Sequence, residues 1–211
     1  MAADFARITA SLAQSAHMKN KEGDTMNIMI VGVGGQGTLL TSRIIGKTAL
    51  AAGYDVKLSE VHGMAQRGGS VVTFVRFDKK VYEPVCEEGT VDLLISFERL
   101  EAKRYAHFLK KNGVMIVNDT RIDPMTVVVG AAKYPEGIIE ELEQSHNLYK
   151  IDAGCVAKEL GNSKVLNTVV LGLAAKHIGF DKEMWIDVLQ KTVPQKTIEI
   201  NTKAFLKGYE A

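Results

Sequence analysis

The run Ile28-Met29-Ile30-Val31-Gly32-Val33-Gly34-Gly35-Gln36-Gly37-Thr38-Leu39-Leu40 constrains this chain more than any other stretch. Four apolar residues in a row, Ile28 to Val31, suit a strand buried on both faces, as in a parallel sheet. Gly32, Gly34 and Gly37 then fit G-x-G-x-x-G, and Thr38 to Ala52 reads as the helix that follows. Gly32 permits a tight turn, Gly34 lets a ligand approach the backbone, and Gly37 lets helix and strand pack closely. A helix start carries unpaired N–H groups and partial positive charge. Gly32 to Thr38, with Gly35 and Gln36 among them, therefore form a ready anion site. A turn that merely makes room for the chain is the alternative. The second strand, Val56 to Ser59, should lead to the carboxylate that holds a dinucleotide's ribose. Glu60 lies farther along than the ~20 residues that fingerprint asks for, and Asp55 is at the wrong end. The loop fits an anion of nucleotide size but does not specify NAD.

The second informative stretch is Glu60-Val61-His62-Gly63-Met64-Ala65-Gln66-Arg67-Gly68-Gly69-Ser70. Its three glycines with His62, Gln66 and Arg67 read as a polar loop. Arg67 beside Gly68 and Gly69 suits a carboxylate or phosphate held bidentately, and equally a neighbouring subunit. His62 is a candidate acid, base or ligand donor, or a solvated loop histidine. Elsewhere Ser59, Asn118 and Asp119 are candidates by their place at strand ends, with capping as the alternative. Asp152, before Gly154, suits either a ligand contact or a helix cap.

The remaining pattern alternates. Val71 to Phe77 reads as a strand, and Asp78-Lys79-Lys80 as the turn of a hairpin into Val81-Tyr82. Val91 to Phe97 is a further strand, Glu98 to Lys111 a helix closed by Gly113, and Val114 to Val117 a strand. Val127 to Val129 reads as a short strand, Glu136 to Gln144 as a helix, and Tyr149 to Asp152 as the last strand. Helices over Cys155–Leu160, Val165–Ile178, Asp181–Lys191 and Gln195–Tyr209 complete the chain, with Asp181 as a cap. The order predicts an α/β fold: a three-layer Rossmann-like sheet, mostly parallel, with an inserted β-hairpin and a helical C-terminus. Residues 1–25 fall outside it and read as a flexible extension, with Phe5, Ile8 and Leu12 spaced for a short amphipathic helix. Residues 26–211 form the domain.

Composition removes several classes of function. A formal charge of +1 with scattered basic residues gives no case for nucleic acid or an acidic membrane surface. The first residues lack the apolar run of a signal peptide, and a cytoplasmic protein is expected. Cys86 and Cys155 are the two cysteines, too few for an iron–sulfur cluster or a structural zinc, and buried free thiols are expected. No H-E-x-x-H, G-x-S-x-G or Walker lysine is present. Such a chain binds better than it transforms. A nucleotide-binding domain acting alone, regulatory or dehydrogenase-like, is one reading.

The two glycine-rich motifs support a more specific one. Val31-Gly32-Val33-Gly34-Gly35-Gln36-Gly37, followed by His62-Gly63-Met64-Ala65-Gln66-Arg67-Gly68-Gly69, resembles the gamma-type domain of the 2-oxoacid:ferredoxin oxidoreductases. The His-Gly-Met-x-Gln-Arg-Gly-Gly form is most similar to the small, beta subunits of the indolepyruvate branch. The resemblance runs from about Asn27 to the C-terminal helix. It implies an oxidoreductase subunit of anaerobic metabolism that is not catalytic alone. The family decarboxylates a 2-oxo acid oxidatively with coenzyme A, giving acyl-CoA, carbon dioxide and reduced ferredoxin. Thiamine diphosphate with Mg2+ and 4Fe-4S clusters would sit on a large alpha subunit, and this chain lacks the signatures of both. Gly32 to Gly37 and His62, Gln66, Arg67, Gly68 and Gly69 would face one cleft for coenzyme A or the 2-oxo acid.

Overall fold

A computed structural model describes residues 25–62 and 68–211. The central strand β1 (Met26–Val33) is buried almost throughout, and its side chains alternate between two cores. Ile28 and Ile30 enter one core, Met29 and Val31 the other. This is the two-sided burial that the apolar run requires. The six strands are β1, β2 (Asp55–His62), β3 (Ser70–Asp78), β4 (Val91–Ser96), β5 (Leu109–Asn118) and β6 (Asn147–Ile151), ordered β2-β3-β1-β4-β5-β6. β1, β4, β5 and β6 pair in parallel, whereas β3 runs antiparallel between β1 and β2. The α/β, mostly parallel expectation holds, including an inserted hairpin.

The hairpin is not the anticipated one. It is the antiparallel pair β2–β3, whereas Val81 and Tyr82 form no strand. Side chains hold that segment as a coil instead. Arg76 donates to the carbonyls of Glu83 and Val85, and the Val81 N–H donates to Asp55 (2.9 Å).

Helices α1 (Thr38–Ala51), α5 (Ala153–Glu159), α6 (Leu166–Ile178), α7 (Lys182–Thr192) and α8 (Ile198–Glu210) form the layer over one face of the sheet. Helices α2 (Arg99–Tyr105) and α4 (Ile138–Ser145) pack on the other. Between β5 and α4 lies the four-residue helix α3 (Met125–Val128), where a strand over Val127–Val129 was expected. The helix anticipated from Glu98 to Lys111 is shorter: α2 and a 3-10 turn end at Phe108, and β5 already begins at Leu109. Gly113 therefore lies within a strand. Asn112 beside it has φ 69°, and the β4–β5 register shifts between Val91 and Leu93. Asp181 stands at the start of α7, but its side chain makes no capping bond.

α6 is buried nearly all round, between the sheet and α8. Two glycines allow this. A Cβ on Gly172 would overlap the Phe205 carbonyl oxygen, and one on Gly208 that of Val169. The extension 1–24 and the loop 63–67, with their expected helix and polar loop, lie outside the described residues.

Candidate functional site

Gly37 starts α1 in the left-handed conformation (φ 85°) and gives it no side-chain cap. The N–H groups of Thr38, Leu39 and Leu40 find no acceptor among the described residues. This is the open, partly positive helix end that suits an anion. Gly37 is also sterically required, since a Cβ there would stand 2.8 Å from the Asn167 amide nitrogen. At Gly32 a Cβ would meet Gln36 Oε1 at 2.9 Å and Phe97 Cβ at 3.0 Å. Gln36 itself is a staple. Its Oε1 accepts the Val33 N–H (2.7 Å), and its Nε2 donates to the Phe97 carbonyl (2.9 Å). Both ends of its amide are engaged in joining the ends of β1 and β4.

The Gly34 N–H donates to the Gly69 carbonyl (2.9 Å), which brings the two glycine-rich stretches together. Beside that contact lies an open cleft of about 360 Å³, lined by Gly34, Gly35, Gly37, Thr38, Glu60 and Val71 among others. Thr38 is only 7% exposed, and its hydroxyl has no hydrogen-bond partner among the described residues. Glu60, which its spacing had set aside, lines this cleft although β3 separates β2 from β1. Gly68 lies next to the same edge. His62 ends β2 opposite Val71, as placed by its backbone, while Gln66 and Arg67 lie outside the described residues.

A smaller cleft of about 100 Å³ adjoins, lined by Val33, Gly68, Ser70, Glu98, Glu101 and Arg104 among others. Sequence reasoning missed its two buried carboxylates, because Glu98-x-x-Glu101 reads as the ordinary acidic start of a surface helix. Glu98 caps α2 by accepting the Glu101 N–H (3.0 Å), and accepts the Tyr134 hydroxyl (2.5 Å) and the Ile122 N–H (3.2 Å). Glu101 accepts the Ser70 hydroxyl and lies 3.4 Å from Arg104. Burial raises the Glu101 pKa against these two partners. Burial likewise raises the pKa of Tyr134, with its bond to Glu98 adding to the effect.

The weaker candidates are held in structural bonds. Asn118 is fully buried, donating to the Phe97 carbonyl (3.1 Å) and accepting the Ala153 N–H (3.0 Å). Asp152 caps α5 by accepting the Cys155 N–H (2.8 Å). Ser59 lies within β2, and Asp119 pairs with Arg99 (2.5 Å). A further polar pocket of about 260 Å³ draws Arg99, Arg121 and Lys150 together with Asp119, Glu136 and Glu140. Its charges balance, so it offers no net attraction to an ion. Cys86 is buried and its thiol is pushed up to about 11 by burial, whereas Cys155 is exposed, contrary to the expectation of two buried thiols. Among the described residues no three His, Cys, Asp or Glu side chains are grouped to hold a metal, and no helix is long and apolar enough to cross a membrane.

Residues 27–211 match the profile of the pyruvate ferredoxin/flavodoxin oxidoreductase family. The chain is 42% identical over 192 residues to the indolepyruvate oxidoreductase subunit IorB of Thermococcus kodakarensis, covering 88% of this chain and 95% of that protein. It is 41% identical to the IorB of Archaeoglobus fulgidus over 189 residues, 87% of this chain and 94% of that one. Among solved structures it superposes on the keto/oxoacid ferredoxin oxidoreductase gamma subunit of Geobacter sulfurreducens with a TM-score of 0.64 at 25% identity, covering 88% and 96% of the two chains. It shares its fold with part of the 2-oxoglutarate:ferredoxin oxidoreductase of Magnetococcus marinus, with a TM-score of 0.68 at 20% identity. There it covers 90% of this chain but only 31% of the other.

Proposed function

The chain belongs to the pyruvate ferredoxin/flavodoxin oxidoreductase family, and we propose that it is the small subunit of a cytoplasmic enzyme that oxidises indolepyruvate and other aryl pyruvates. The observation that carries this reading is the similarity, over 87–88% of the chain, to subunits named for indolepyruvate oxidoreductase, at 41–42% identity. The reaction joins the 2-oxo acid to coenzyme A. The carbon–carbon bond to the carboxylate breaks and carbon dioxide leaves, the acyl–sulfur bond forms as the coenzyme A thiol gives up its proton to solvent, and the two electrons pass to ferredoxin. A large partner subunit would hold the thiamine diphosphate, Mg2+ and 4Fe-4S clusters. Cys86 and Cys155 are too few for a cluster, so the donor set of this chain does not fit one.

The contribution of this chain is a binding surface. The uncapped α1 N-terminus, the unpaired Thr38 hydroxyl and the adjoining Gly68-Gly69 strip would receive an anionic group of coenzyme A or the 2-oxo acid. Arg67 would clamp it, and His62 and Gln66 would complete the edge. Glu60, which also lines the cleft, suits a ligand that carries hydroxyl groups as well as charge, as the ribose phosphate of coenzyme A does. The need for a large partner is supported by the apolar knob at α3. There Met125, Val128 and Val129 are 72%, 67% and 66% exposed. A contiguous exposed patch of this kind marks a protein contact.

Anaerobic affinity capture of the tagged chain from its source cell tests the assembly. A large partner with broad absorption near ~400 nm from iron–thiolate clusters is the expected result. A colourless chain recovered alone would refute it. In the assembled enzyme, Arg67→Ala should raise the Michaelis constant for one substrate about 10-fold or more, the worth of a charge-assisted hydrogen-bond pair. Weakened association with unchanged constants would instead make Arg67 an interface residue.

A further inference from the structure

We infer that Glu101 is a positioning residue for the ligand-binding edge: from α2 it accepts the Ser70 hydroxyl and so fixes the Gly68-Gly69 strip against the glycine loop. The inference rests on the cleft reading of the proposed function and adds to it the element that holds one wall in place. Ser70 is the residue at which the strip enters β3, and it forms the last pair of the β1–β3 ladder, opposite Val33. Beyond that pair, the strip is tied among the described residues by the bond from the Gly34 N–H to the Gly69 carbonyl (2.9 Å). Gly68 has open space where a side chain would stand, so packing does not fix it.

Two side chains of α2 meet Ser70. Its hydroxyl donates to Glu101, which leaves its oxygen to accept the Tyr105 hydroxyl (3.3 Å). Residues four apart share one helix face, so a single face of α2 grips the start of β3. That grip is itself anchored. Glu98 accepts the Glu101 N–H (3.0 Å), the Ile122 N–H and the Tyr134 hydroxyl, which ties the first turn of α2 to the loop after β5. A carboxylate is an unfavourable way to pack this place. Glu101 is 4% exposed, and its ionic partner Arg104 lies 3.4 Å away on the same helix. Burial raises the Glu101 pKa, so desolvation offsets part of what the Ser70 bond contributes. An apolar side chain would fill such space with no charge to desolvate, as Phe74 and Leu142 do in the core on this face of the sheet. What the carboxylate adds is a directed bond to the one residue that joins the strip to the sheet. Glu101, Ser70 and Gly68 line the same small cleft.

The test uses the complex of this chain with its large subunit. Michaelis constants for coenzyme A and for indolepyruvate, kcat, and the melting temperature of the complex are measured for Ser70→Ala, Glu101→Leu and Glu101→Gln. Ser70→Ala and Glu101→Leu should each raise one constant by about 10-fold while kcat changes by less than about 2-fold. Glu101→Leu should melt no lower than wild type, because it removes a buried charge. Ser70→Ala keeps the test open where Glu101→Leu does not fold. Glu101→Gln retains an acceptor for the Ser70 hydroxyl and should hold the constant within about 3-fold of wild type. Ser70→Ala and Glu101→Leu combined should do no more than either alone, since both break one bond. Unchanged constants in Ser70→Ala and Glu101→Leu, with or without lowered melting, would overturn the inference and leave Glu101 as a structural part of α2. A Glu101→Gln variant as impaired as Glu101→Leu would overturn it too. Thr38→Val and Arg67→Ala separate this role from the cleft itself. If they move a constant while Ser70→Ala and Glu101→Leu do not, the cleft stands and only Glu101 fails. If none of the four moves one, the cleft reading falls and the role of Glu101 with it.

Discussion

At the scale of single residues, Gly37 joins two demands: a left-handed backbone and a missing side chain. Gly37→Ala meets a φ of 85° and an overlap with Asn167, so it should cost about 2 kcal/mol of stability, from backbone strain and overpacking together. Chemical denaturation of wild type and variant in parallel would check this. His177 gives a pH signature. Burial, helped by Lys176, depresses its pKa to about 4, and its ring lies tilted by 50° against that of Tyr149, with centroids 4.4 Å apart. The unfolded chain takes up a proton near the ordinary value of 6.5 while the folded chain does not. The stability contribution is therefore intact above pH ~6.5, falls as pH drops towards ~4, and levels off below that, for a total of roughly 3 kcal/mol. His177→Phe should flatten that acid limb in melting curves from pH 7 to 4, whereas a limb of unchanged depth would assign it to other groups. The glycine loop was legible in the sequence because each glycine answers a local backbone need. The task of Gln36 was not. An amide in such a loop looks free for a ligand until the chain brings the Phe97 carbonyl within 2.9 Å of it.

At the scale of elements, the crossing of α6 and α8 depends on backbone contact. Gly172→Ala or Gly208→Ala would drive a methyl group into the carbonyl of the facing helix and force the helices apart. Each should destabilise by about 3 kcal/mol, at the upper end for overpacked cores. A thermal shift of only a degree or so would show that the helices can slide. The sequence placed both helices by their periodicity but gave no sign that they touch. It also extended α2 to Lys111, because Leu109 and Lys110-Lys111 continue an apolar-then-basic pattern that a helix end would share. Pairing decided otherwise. Leu109 joins the β4 edge opposite Val91, and the irregular Asn112 carries the strand on to Val114. The segment at Val81 was misread for a related reason. The Asp78-Lys79-Lys80 turn before it suits a hairpin, but β3 already has β1 and β2 on its two sides, so no edge of β3 is free.

At the scale of the whole molecule, the exposed α3 knob and the glycine-rich clefts belong to the loops that leave the carboxyl ends of the strands, where α/β sheets collect their ligands. Pro124 and Ile122, which lead into α3, line the smaller cleft with Gly68 and Glu98. Replacing Met125 and Val128 together by Asp should weaken association with the large subunit by about 10-fold or more while leaving the melting of the isolated chain nearly unchanged. Co-purification yield and calorimetry read the two effects separately, and undiminished association would move the interface elsewhere. What the sequence by itself determined is the strand–loop–helix unit from Met26 to Ala51, the α/β order and the family. Each depends on neighbours within a few residues, where periodicity and backbone geometry act directly. The tertiary structure alone decided which distant residues share the clefts. Glu60 reaches the glycine loop from beyond β3, Glu98 and Glu101 are buried against Ser70 and Tyr134, and Asn167 closes on Gly37. The cause is sheet order together with the return of α6. These set distances between residues far apart in the chain, which no local pattern encodes.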